Sequence, residues 1–386
     1  MSSSNNRRAG RARTVFTLCS CLALSALPLP GRVQAQRDVV LRETARTCYQ
    51  ACFHLELIAT LWDDQGRLFE SPTSVVRLRD GRFLVSHPFG PGPLFSQTGE
   101  FRGIVGRKGR GPHEYQAFNY VLLGPADSVH IFDVVGARYS VLSPELHFVR
   151  SQSLSYNVQN ALVFHTGRLY LNSHIRTPDL IGIPIHALDH EGEIIRSFGL
   201  RDSTASFTRN TAWPGWRRMT LSMTHSILTS YLNRLLLEEW TVDGRFVRAF
   251  ETVSHWFTPY DEFRPIRPNT ELQPSVAGIQ ATANSQVVRV TTIGAANWRN
   301  QLQEVESLAD GMRYQPTNGV ALLYDSVIEL LDLDTGTVVA IERFDHYLSG
   351  WVSGATGLMF SPDRNASGEP VIRVFRLNYL TGGSEQ

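Results

Sequence analysis

The chain has 386 residues, 42% of them hydrophobic, 10% aromatic and 19% charged. That is enough apolar material for a large core and excludes a disordered or fibrous chain. The 30 Gly and 19 Pro are too many for a helical bundle and too few for a low-complexity chain, and the formal net charge is +1, with Lys108 as the single lysine.

Arg7, Arg8, Arg11 and Arg13 form a basic start without an acidic residue, and Thr14 to Pro28 is a mostly apolar stretch. Val33-Gln34-Ala35 then offers small residues at −3 and −1. This order predicts a secretory signal over 1–35, because the apolar stretch is shorter than the ~20 residues a spanning helix needs. Cleavage removes five arginines and no acid, which leaves 32 basic against 36 acidic residues, a net −4. A mildly acidic exported chain is a poor nucleic-acid binder, since that binding rests on clustered cations. No later apolar run reaches ~18 residues, so no membrane span is expected in the mature chain, which is taken to be a monomer in the periplasm or outside the cell.

Residues 36–53 form an N-terminal segment carrying Cys48 and Cys52. An even pair in an oxidising compartment predicts a small disulfide. A metal site would need two further ligands, and His54 supplies one at most.

From residue 54 onward one unit repeats. Gln97-Thr98-Gly99, Pro144-Glu145-Leu146, His190-Glu191-Gly192, Val242-Asp243-Gly244 and Asp334-Thr335-Gly336 are each followed by an apolar strand. Turn-then-strand signals at Arg79-Asp80-Gly81, Ala126-Asp127-Ser128, His165-Thr166-Gly167 and Ala283-Asn284-Ser285 fall between them. Boundaries at 54–99, 100–146, 147–192, 193–244, 245–336 and 337–386 put the first three units near 46 residues. Four short strands at a ~40–50 residue period predict an all-β fold, a six-bladed β-propeller over 54–386. The long fifth unit reads as one blade with an insertion within 251–318, where Gln301 to Met312 has helical spacing. The last unit lacks an outer strand and the first begins with an unpaired one, so 55–61 is expected to join the C-terminal blade and remove both edges.

Phe95 to Ser151 resembles exported bacterial six-bladed β-propeller proteins related to the NHL and TolB-like propellers. The specific part is Gly106-Arg107-Lys108-Gly109-Arg110-Gly111-Pro112-His113-Glu114-Tyr115, similar to a family loop G-R-x-G-x-G-P-G-E-[FY] with His113 at a usual Gly. The resemblance implies the fold and no assigned reaction.

Candidate sites follow from composition. The 106–115 glycines could nest an anion, with Arg107, Arg110 and His113 beside it, or could only shape a tight crossing between blades. Trp213-Pro214-Gly215-Trp216-Arg217-Arg218 and Trp256 to Arg264 are aromatic and Arg-rich stretches. Aromatic and Arg side chains are enriched in binding hot spots. Trp213, Trp216, Trp256, Phe257, Tyr260 and Phe263 are thus candidate partner contacts, unless they fill a cleft between blades. His186 and His190 lie ~13 Å apart if extended, too far to share a metal. No G-x-S-x-G, H-E-x-x-H, P-loop or EF-hand pattern occurs. The leading expectation is a non-catalytic binding or scaffold protein for a protein or glycan partner, without a cofactor. The alternative is a propeller hydrolase or lactonase with a divalent cation such as calcium in the central channel.

Overall fold

In the computed structural model of the chain the described residues are 39–42, 48, 51–65, 68, 71–154, 156, 158–163, 166–201, 215–307 and 311–380. The segment read as a signal lies outside them.

The five turns singled out in the sequence are the local origin of the fold. In each, the residue before the outgoing strand is left-handed: Gly99, Gly192, Gly244 and Gly336 have φ of 99°, 84°, 72° and 69°, and Leu146 adopts 68°. A side-chain oxygen at the turn's start accepts an N–H from its end, as Ser96 does from Glu100, Ser143 from His147, Asp189 from Glu193 and Thr241 from Arg245. The pairing register shifts by one beside every one of them, so each is a hairpin with a bulge that adds twist.

Among the described residues the strands form successive four-stranded antiparallel units. The first runs Val75–Arg77, Phe83–Val85, Gly92–Phe95 and Phe101–Val105, and the second spans Tyr120–Leu123 to Phe148–Ser153. The third spans Val158–Val163 to Ile194–Phe198, and the fourth Arg217–Leu221 to Phe246–Thr252. The fifth joins Ser275–Ala281, Gln286–Gly294, Tyr324–Asp332 and Thr337–Phe344 in one sheet. The sixth holds Gly350–Ser353, Leu358–Arg364 and Pro370–Tyr379, and its fourth strand is Phe53–Leu61, antiparallel to 370–379. The first strands touch one another in cyclic order, and the last of them pairs parallel to Val75 and Val76.

Period-two alternation does the packing. Val75 and Val76 enter different apolar clusters, as do Val121 and Leu122, Ile227 and Leu228, and Val287 and Val288. Each cluster joins one unit to the next, so both sheet faces are buried and the strands read as apolar runs. Every fully buried Leu, Ile, Val or Phe stabilises this arrangement by about 1.5–3 kcal/mol.

The N-terminal segment holds a strand that sequence reasoning did not single out. Val39–Arg42 pairs parallel to Ala249–Thr252 on the fourth unit's outer edge, Cys48 bridges to Ala340 on the fifth, and 53–61 completes the sixth. The segment therefore covers three consecutive outer edges that would otherwise expose unpaired backbone. The Cys48–Cys52 disulfide forms. It sits where this segment turns into the sixth unit, with Cys52 Sγ against the Ile341 carbonyl and the Phe53 N–H donating to Glu342 Oε2 at 2.8 Å.

One expected element is corrected. Helical spacing over 301–312 suggested a helix, but Leu302–Ser307 and Gly311–Pro316 form a two-stranded antiparallel hairpin. It is inserted between the second and third strands of the fifth unit. Val305, Tyr314 and Thr317 favour extended backbone, and Gly311 opens the return strand, which outweighs a short amphipathic pattern.

Candidate functional site

The 106–115 loop links the first unit's outer strand to the second unit's inner strand, and it carries its own anion. Glu114 accepts the Gly111 N–H at 2.6 Å and Arg107 Nε at 2.7 Å. The Gly111 hydrogen bond, then Arg107, lower the Glu114 carboxyl from its ordinary value. Arg138 donates to the carbonyls of Arg110, Gly111 and Glu114, and so holds the loop down from the second unit. His113 has φ of 57° and keeps the left-handed turn its position requires. Its ring lies edge-on to Tyr115, with centroids 6.0 Å apart. Burial first, then Arg107, lowers the His113 imidazole. The nest is thus filled by a carboxylate of the chain itself, with Arg107 paired and Arg110 exposed.

The aromatic candidates divide by burial. Phe257 is 4% exposed within the cluster joining the fourth and fifth units, and Trp256 packs against it. Phe257 thus takes the cleft-filling alternative stated for these rings, and half-buried Trp256 packs beside it where the connection 253–274 crosses between the sheets. Tyr260 is tied to Asn233 through backbone and side chain, and burial raises its phenol. Phe263 remains 59% exposed. Trp216 is half-buried at the entry to the fourth unit. Trp213 lies outside the described residues.

His186 and His190 do not meet. His186 is fully buried, its Nδ1 2.8 Å from Ser197 Oγ and its Nε2 3.3 Å from the Ser173 carbonyl. His190 is exposed beside Glu191. Among the described residues no group of three His, Cys, Asp or Glu is placed to hold a metal ion. Burial lowers His186 to about 4, and burial followed by Arg150 lowers His130 to about 4 as well. A depressed imidazole takes up its proton in the unfolded chain first, so stability is complete above about pH 6.5 and falls as pH drops toward 4. We expect urea melts to lose on the order of 1.4 kcal/mol per pH unit for each histidine in that window. His186→Gln and His130→Gln should each flatten the slope; an unchanged slope would show that neither imidazole is buried neutral.

The first strands converge on a cavity of about 410 Å³ whose lining comes from every one of the units described above. Ser74 and Ser353 are occupied there, accepting the N–H groups of Val121 and Leu123 at 2.9 and 3.0 Å. Two polar atoms beside them lie buried and unpaired, and one guanidinium is only partly used. Asn160 Oδ1 and Trp351 Nε1 are buried atoms without a hydrogen-bond partner. Arg218 donates Nε to the Val276 carbonyl at 3.3 Å and has no carboxylate partner among the described residues. Among the described residues it is the only charged one in the lining, which holds none of their Asp, Glu, His, Cys or Lys side chains. Desolvation by the surrounding protein raises the phenols of Tyr120 and Tyr347, and the Arg218 charge opposes that rise in both. Both rings thus stay neutral donors at physiological pH. Arg218 stood in an aromatic, Arg-rich stretch of the sequence, but only strand alternation separates it from Arg217, which is buried with its guanidinium 3.1 Å above the Tyr231 ring. Asn160 and Trp351 carried no sequence signal.

No protein-family model and no curated protein matches the chain. Solved structures do resemble it. A Bacteroides fragilis protein named as a candidate exported protein aligns with TM-score 0.57 at 11% identity, over 89% of this chain and 100% of its own. A DUF4221 member from Bacteroides vulgatus aligns with TM-score 0.56 at 10% identity, over 85% and 99%. Virginiamycin B lyase from Staphylococcus aureus aligns more loosely, with TM-score 0.44 at 11% identity over 83% and 99%. At such identities the likeness concerns the fold alone. No helix among the described residues is long and apolar enough to cross a membrane.

Proposed function

We propose that the protein is an exported six-bladed β-propeller, of the NHL and TolB-like kind, that binds a saccharide in its central channel without catalysing a reaction. The ring reading is supported by the cyclic contacts of the first strands and by the N-terminal strand that completes the last unit. Export is supported by the order of charged, apolar and small residues over 1–35.

The observation that carries the function is the convergence of Asn160, Arg218 and Trp351 on one cavity, where the Arg218 guanidinium keeps its terminal nitrogens unspent. A concave, mostly polar lining with a few oriented side chains suits a hydroxylated small molecule. A hydrolytic reading finds no support in the same lining: its serines have no His or acid beside them, and a divalent cation would face a guanidinium instead of carboxylates. Isothermal titration of the full chain with a saccharide panel tests this. Asn160→Ala should weaken binding about threefold to tenfold with unchanged melting, the loss of one hydrogen bond. Absence of any saccharide binding, with protein capture lost in Phe263→Ser, would replace this reading by protein docking on the loop face.

A further inference from the structure

Resting on the saccharide reading, we infer that the channel's ligand is a sugar acid, one carboxylate on a hydroxylated ring, and that Arg218 takes the carboxylate. The lining is unbalanced in charge. One guanidinium enters it from the fourth unit, and among the described residues no anion answers it there. Its Nε is spent on the Val276 carbonyl, which fixes the plane and leaves both terminal nitrogens for a ligand. That fork matches the two oxygens of a carboxylate, and such charge-assisted pairs are about twice as strong as neutral ones. Tyr120 and Tyr347 stay protonated, because burial raises both phenols, so neither competes as an internal anion.

The second donor is held on the same strand. A Cβ at Gly278 would lie 2.9 Å from Trp351 Cδ1 and 3.2 Å from Nε1, so the glycine is what lets the indole edge rest against the strand. Gly278 is two residues from Val276, roughly 7 Å along an extended chain. Guanidinium and indole N–H therefore approach one short stretch of the fifth unit's first strand from the units on either side. Asn160 adds a polar side chain to the lining from the third unit. A guanidinium for an anion and polar walls for hydroxyls together select a ligand that carries both. The cavity volume falls within the range of about 300–1,000 Å³ usual for small-ligand sites.

The test uses the full chain with its seven tryptophans replaced by 5-fluorotryptophan, the 351 resonance being assigned through Trp351→Phe. Glucuronate, galacturonate and N-acetylneuraminate are titrated beside their methyl esters. At least one acid should shift the 351 resonance saturably. Its ester should bind about tenfold more weakly or worse, a difference of roughly 1.4 kcal/mol. Arg218→Gln should reduce acid binding to the level of the ester and leave ester binding unchanged. Equal binding of acid and ester, with Arg218→Gln silent, overturns carboxylate recognition and leaves saccharide binding intact. No shift at 351 with any acid or ester overturns both.

Discussion

Arg289→Ala is expected to lower the unfolding free energy by about 3–5 kcal/mol, the cost of leaving a buried charge unpaired. Arg289 and Glu329 are register partners on adjacent strands of the fifth unit, with side chains 0% and 1% exposed. Nε and Nη2 of Arg289 lie 2.8 and 2.7 Å from the same carboxylate oxygen, and Nη2 also donates to Thr252 Oγ1 of the fourth unit at 2.7 Å. The arginine is therefore a clamp between neighbouring sheets as well as half of an ion pair. The pair is incompletely satisfied, since Arg289 Nη1 and Glu329 Oε1 have no partner. Desolvating both ions costs several kcal/mol each, and their attraction restores that only where every donor and acceptor is met. The combined Arg289→Met, Glu329→Leu variant should therefore regain most of the loss or exceed the parent. Urea unfolding of the two single variants and the double variant measures this. A single-variant cost below about 1 kcal/mol would match an exposed pair and contradict the burial.

Gly99→Ala should cost about 2–5 kcal/mol, and it should act on the seam where the chain's two ends meet. Gly99 closes the last hairpin turn of the first unit with φ of 99°, a conformation that costs an alanine about 1–2 kcal/mol. A Cβ there would also stand 1.9 Å from the Thr60 carbonyl oxygen, which is backbone and cannot rotate away. Overpacking of this kind adds about 1–3 kcal/mol. Thr60 belongs to the N-terminal strand of the sixth unit, and the Trp62 N–H donates to the Gly99 carbonyl at 3.1 Å just beyond it. The substitution must therefore displace either the turn or the strand. Hydrogen exchange should show the amides of 53–62 losing protection before those of the second and third units. Equal loss everywhere would mean that the strand is not a separate seam.

The seam was legible because hydrophobic alternation over 55–61 leaves a strand without sequence neighbours, and the final unit lacks one. The hairpin turns were legible for a local reason: a left-handed residue selects Gly, and a capping oxygen selects Ser, Thr or Asp. Where Leu146 takes that place the strand pattern still marked the turn. The 301–312 segment misled because its apolar spacing suits a helix, while Leu302–Ser307 pairs with Gly311–Pro316 as a hairpin. Trp256 and Phe257 resembled hot-spot residues, since composition cannot distinguish a ring that meets a partner from a ring that anchors its own loop.

The sequence by itself determined the repeat, its turns, the disulfide pair and the joining of the chain's ends, since each depends on residues close together or on an unpaired edge. The tertiary structure alone decided the site. Asn160, Arg218 and Trp351 come from three units far apart in the chain and share a cavity only because the first strands of all the units face inward. It also filled the candidate anion loop from within, since Glu114 folds back onto Gly111 through a hydrogen bond that no spacing rule specifies.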